Sequence, residues 1–179
     1  EHLPAGQPVT IQAFMMHGSR AAVDQSLGRL VKEGVLSRPA RGVYVRPRKN
    51  PYVGEVPPEP MEVAEAIAKE TGAVIQVQGA EAARRMGFST QVSTHPIFHT
   101  SGPSRRLYLG QMEITLKHTS PRKLALTGRP AGIALTALWY LGKNSVTVET
   151  IERIHTQLAS EEFEALRSAA PSMPAWMHD

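Results

Sequence analysis

The chain has 179 residues, 41% of them apolar and 20% charged, the balance of a globular protein large enough to bury a core. It lacks cysteine, which excludes disulfides, thiol catalysis and thiolate metal sites, and no apolar run of about 18 residues is present to span a membrane. The net charge of +4 is uneven: residues 1–50 carry eight Lys/Arg against three acids, a net of +5, and the remainder carries twelve against thirteen, a net of −1. A basic head on a near-neutral body is the pattern of a small nucleic-acid-binding module with an appended domain. No basic segment followed by an apolar stretch opens the sequence, so a cytoplasmic protein is expected.

In chain order, Thr10–Met16 reads as a short helix with Ile11, Phe14 and Met15 apolar, broken by Gly18. Ser19 has capping chemistry for a second helix, in which Val23, Leu27, Leu30 and Val31 fall on one face and which Gly34 ends. Two short helices joined by a glycine-containing turn match the helix-turn-helix unit. Val35–Leu36, a polar loop Ser37–Gly42 and Val43–Val45 then predict a hairpin with Arg38 and Arg41 at its tip, the wing of a winged-helix domain. Pro51, Pro57, Pro58 and Pro60 predict an extended linker, so the expected domains are 1–50, a linker over 51–60, and 61–179.

The body reads as a small mixed α+β domain. A helix starts at Pro60 and stops at Gly72, Ala73–Gln78 reads as a strand, and Ala80–Met86 as a small-residue helix closed by Gly87. Pro96–Thr100, Arg105–Leu109 and Glu113–Lys117 are strand-like, the last two forming a hairpin about Gly110. The final third is helical: an apolar helix ended by Gly142, a second behind a Thr147 cap, and a last one capped by Ser160 with Glu161 and Glu162 in its first turn.

Opposite the apolar stripe of the second helix lie Ala21, Gln25, Gly28, Arg29 and Lys32, with Ser19 and Arg20 at its tip. Small residues let a helix sink into a groove; Gln25 suits an adenine edge, Arg20 or Arg29 a guanine or phosphate, and Ser19 a phosphate. Arg38 and Arg41 would reach a minor groove or the backbone, and Arg46, Arg48 and Lys49 extend the basic surface behind them. Ordinary solvated helix residues would look similar, but helix pair, wing, basic tip and local charge coincide here. The expectation is a double-stranded DNA-binding repressor, plausibly on inverted repeats, with Ser19–Lys32 in the major groove.

The stretches "SRAAVDQSLGRLVKEGVLSRPARGVYVRP" (Ser19–Pro47), "GPSRRLYLGQMEITLKHTSPRKL" (Gly102–Leu124) and "SMPAWM" (Ser172–Met177) resemble the AbiEi-type antitoxins of bacterial type IV toxin–antitoxin (abortive infection) systems. That resemblance implies an N-terminal winged helix, repression of the protein's own operon, and an antitoxin role. The antitoxin would oppose a nucleotidyltransferase-like toxin, in a class where the two proteins need not touch.

The alternative is a nucleic-acid-processing enzyme with its active site in the body. Aspartate occurs only at Asp24 and Asp179, so convergent carboxylates for metal-assisted chemistry are scarce, and neither a P-loop nor a Rossmann glycine pattern is present. His95, His99 and His118 are the one metal-like set, short of the ligands zinc requires, so no metal, cofactor or catalytic residue is expected. Arg105, Arg106, Lys117, Arg122 and Lys123 would add contacts to flanking DNA backbone if they gather on the hairpin; scattered surface charges are the plainer reading.

Overall fold

A computed structural model describes residues 3–177; Glu1 and Asp179, counted above, lie outside the described residues. The strands are β1 (Val9–Thr10), β2 (Ser37–Ala40), β3 (Val43–Val45), β4 (Arg48–Asn50), β5 (Gly54–Val56), β6 (Ile75–Val77), β7 (Ile97–Thr100), β8 (Arg105–Leu109) and β9 (Met112–His118). The α-helices are α1 (Arg20–Lys32), α2 (Pro60–Lys69), α3 (Gly79–Arg85), α4 (Pro130–Leu141), α5 (Val148–Gln157) and α6 (Ser160–Ala169). The class is α+β, with sheets ordered β1-β3-β2, β4-β5 and β6-β7-β9-β8. The chain divides into two compact units, Glu1–Ala73 with Arg105–Thr115, and Val74–Ser104 with Leu116–Asp179.

The first unit is organised by β3. Its three residues alternate across the sheet and all are buried, so both faces must be covered. Tyr44 joins Ile11, Val23, Leu27 and Leu36 on the side of α1, where Leu3, Val9, Phe14, Leu30 and Val31 complete the cluster. Val43 joins Ala40, Val63 and Ile67 on the other side, with Leu107 and Leu109 packed against them. The chain ahead of α1 takes 3₁₀ rather than α form over Ile11–His17. Helix α1 starts where Ser19 Oγ accepts the Ala22 N–H at 3.3 Å and ends at Gly34, whose φ of 71° suits a residue without Cβ.

Three expectations about the first unit are corrected. No extended linker occupies 51–60: Gly54–Val56 pairs with Arg48–Asn50 as a hairpin, because Asn50 Oδ1 accepts the Tyr52 and Val53 N–H groups and so folds the turn. Nor does a boundary separate α2 from the head: Val63 and Ile67 cover the back of β3. The polar loop expected over Ser37–Gly42 is also shorter. Ser37–Ala40 is strand, leaving Arg41 and Gly42 as the turn, with Gly42 at φ 78°.

In the second unit β6 pairs antiparallel with β7, Gln76 opposite His99. Helix α3 lies close against α4: a Cβ built on Gly79 would fall 2.5 Å from Tyr140 Cβ. The turn before α4 is as tight, since a Cβ on Gly132 would collide with the Leu126 carbonyl oxygen. Thr147 caps α5, Oγ1 accepting the Thr150 N–H at 3.4 Å. Ser160, expected as the cap of α6, is instead its first residue, and Ala159 ahead of it offers no side-chain cap. Glu162 does a different job from the one its dipole position suggests. Its carboxylate accepts the Ala131 N–H at 3.0 Å and the Arg129 guanidinium at 2.9 Å, so α6 caps the start of α4 from outside.

The Ala131 N–H, and after it Arg129, hold the Glu162 carboxyl below the usual glutamate range. A depressed folded-state value makes this contact stabilising above the unfolded-state value, and the gain disappears as pH falls through the folded one. Glu162→Gln should therefore lower the melting temperature at neutral pH, with the gap to wild type closing as the pH is lowered through and below the ordinary glutamate range; thermal melts from neutral to acid pH check it.

Candidate nucleic-acid interface

Helix α1 carries its apolar stripe inwards and its polar face outwards. Val23 and Leu27 are buried, whereas Ala21, Gln25, Arg29 and Lys32 are exposed. Burying one such aliphatic side chain contributes about 1.5–3 kcal/mol, so packing alone accounts for the helix's orientation. The outward side chains are not needed for that packing. Arg20 pairs with Asp24 at 3.2 Å, and Arg29 lies 3.9 Å from Glu33, both on exposed i, i+4 spacings. Such pairs are weak and readily exchanged for another anion. Gly28 sits mid-helix with open space where a Cβ would point, so neither packing nor backbone strain requires glycine there.

The basic residues expected at the wing tip separate in role. Arg41 is in the turn and exposed. Arg38 stands on β2, three residues earlier, with its guanidinium 5.8 Å from the centre of the Tyr44 ring. Both still line one cleft with Arg20 from the start of α1. Arg48 and Lys49 are exposed on β4, and Arg46 is half-buried after β3.

The second basic cluster does not form as one group. Arg105 and Arg106 belong to the first unit, on β8, where they line the same cleft as Arg20, Arg38 and Arg41. They reach it because the hairpin packs back onto the head: Leu107 and Leu109 join the Val43 cluster, and the Gly110 N–H donates to the Pro39 carbonyl at 3.1 Å. Nothing local in the sequence announces that pairing, which joins residues far apart in the chain. Lys117, Arg122 and Lys123 belong to the second unit. Lys123 lies 5.1 Å above the Trp139 ring, and with Lys117 it faces His99. Burial, then these two ammonium groups, push the His99 imidazole below its ordinary value and favour the neutral ring.

The histidines do not converge. His95 is exposed outside β7, and the His118 ring meets the Gly102 carbonyl at 3.0 Å. Among the described residues no group of three His, Asp or Glu is placed to hold a metal. Among the described residues no helix is long and apolar enough to cross a membrane.

No curated protein and no solved structure matches the chain. A family model does, over residues 1–166, a span that takes in the basic head, the returning hairpin and most of the second unit. The chain thus belongs to DUF6088, a family of unknown function.

Proposed function

We propose that this protein is a sequence-specific double-stranded DNA-binding regulator whose first unit is a winged helix. The observation that carries the reading is the polar face of α1, from Arg20 to Lys32, presented outwards on a helix anchored by Val23 and Leu27. Topology supports it: a helical turn, a second helix and a hairpin are closed into a sheet of order β1-β3-β2, an order compatible with a helix-turn-helix carrying a wing.

In this reading α1 lies in the major groove. Gln25 reads an adenine edge, Arg29 a guanine or a phosphate, and Ser19 and Arg20 meet the backbone at the helix start. Arg41 alone serves as the wing contact, because the turn is only two residues long. Arg48 and Lys49 add uniform electrostatic attraction. Two copies on an inverted repeat upstream of the protein's own gene would complete a repressor. The antitoxin assignment, with a nucleotidyltransferase-like toxin encoded nearby, rests on the resemblance of Ser19–Pro47 and Gly102–Leu124 to AbiEi-type proteins.

Fluorescence anisotropy with the upstream duplex, repeated over a salt series, tests the reading; absent or salt-independent binding would sink it. Gln25→Ala should cost about 1–3 kcal/mol on the specific duplex and little on a scrambled one. Lys49→Ala should weaken both duplexes alike and lower the salt slope by about one. Gly28→Ala separates folding from function: it should raise stability by about 0.5–1 kcal/mol, since glycine mid-helix is unfavourable. If the backbone at Gly28 approaches DNA, the same variant binds the duplex more weakly. A variant that is more stable and binds equally well would remove Gly28 from the interface.

A further inference from the structure

We infer that the arginine-lined cleft of the first unit is a binding site for a small phosphorylated anion of nucleotide size, and that its occupant competes with duplex DNA. The competition rests on the DNA reading above; the site itself does not.

The cleft has a volume of about 780 Å³, and all its walls belong to the first unit. That is the size of a small-molecule pocket. Arg20, Arg38, Arg41, Arg105 and Arg106 line it, against Asp24 and Glu70 as the only carboxylates on its wall. Asp24 is already engaged by Arg20 at 3.2 Å, and Arg106 lies 3.7 Å from Glu113 with its side chain still 71% exposed. Five arginines around one recess, with so few carboxylates among its lining residues, give it a positive field that favours an anion.

Arg105 supplies the independent sign of a missing partner. Its Nε is buried and finds no hydrogen-bond acceptor among the described residues. A charged donor held out of water without an acceptor is unfavourable, and an anion entering the cleft would supply one. Guanidinium forks match phosphate oxygens, and several forks around one recess favour more than one phosphate. Tyr108 on the same wall donates from its hydroxyl to Glu113 at 3.2 Å, which fixes the ring and leaves it, half-exposed, for a base to stack on.

A duplex offers the same phosphate chemistry, but as a stiff rod it would reach the exposed Arg20 and Arg41 more readily than the partly buried Arg105. Those two exposed residues are shared with the proposed DNA surface, and this sharing makes the two ligands exclusive.

Isothermal titration calorimetry of the whole chain with ATP, pyrophosphate and adenosine tests the site. Expected are saturable binding of ATP and pyrophosphate and none of adenosine. Arg105→Gln should weaken ATP about tenfold, the loss of one charge-assisted contact. Arg106→Gln, at a more exposed position, should do the same without risk to the fold, while Gln25→Ala leaves ATP affinity unchanged. In a second arm, ATP should displace a labelled upstream duplex. Binding of ATP with no duplex binding would uphold the site and refute the competition. No saturable heat from ATP or pyrophosphate, or equal affinity in both arginine variants, would overturn the inference. Duplex binding that is weakened by Arg106→Gln and unmoved by ATP would assign the cleft to DNA backbone instead.

Discussion

The first unit depends on burying a three-residue strand from both sides. Val43, Tyr44 and Val45 have almost no exposed surface, yet β3 is far too short to make a sheet that stands alone. Tyr44 requires an apolar helix face on one side, and α1 with the preceding 3₁₀ turn provides it. Val43 requires cover on the other, and α2 with the β8–β9 hairpin provides that. Removing either cover would leave large apolar side chains in water, so the head is not complete at Asn50. Its fold needs the helix that follows the proline-rich stretch, and a hairpin from well beyond it.

This dependence marks the line between what could be read from the amino acids and what could not. Helix α1 was legible because its evidence is local: Ser19 as cap, four apolar residues on one face, and Gly34 at its end. The same holds for α5 behind Thr147 and α4 before Gly142. The β4–β5 hairpin was hidden by its prolines, which flank the paired residues without interrupting them. Glu162 was legible as a helix-start acid, but its bond to Ala131 is a long-range event with no sequence pattern. The seating of Leu107 and Leu109 beside Val43 is of the same kind. Closing a loop of that length is entropically gradual and leaves no periodic trace.

The same limit shaped the reading of the basic residues. Arg105, Arg106, Lys117, Arg122 and Lys123 lie close along the chain and would form one cluster only if the hairpin gathered them, with scattered surface charges the plainer expectation. The division between units passes along β9, and charge neighbours in sequence part company there. Arg105 and Arg106 instead join Arg20, Arg38 and Arg41, far back in the chain, in a common cleft. Charge density along a sequence therefore located the basic head correctly, but not its full membership.

What a folded head needs and what its surface offers can be separated on α1. The inward residues account for its place, and neither the exposed i, i+4 pairs nor Gly28 adds much to stability. Each Arg–acid pair there is worth less than about 1 kcal/mol, and a mid-helix glycine costs a similar amount. A helix selected only to stay folded would gain from alanine at position 28 and would be indifferent to Gln25 and Arg29. The plain surface reading accommodates those residues one at a time. It does not account for why an unobstructed mid-helix glycine, an outward polar face and an arginine-lined cleft occur in one small unit. A duplex on the polar face and a small phosphorylated anion in the cleft would between them make use of all three.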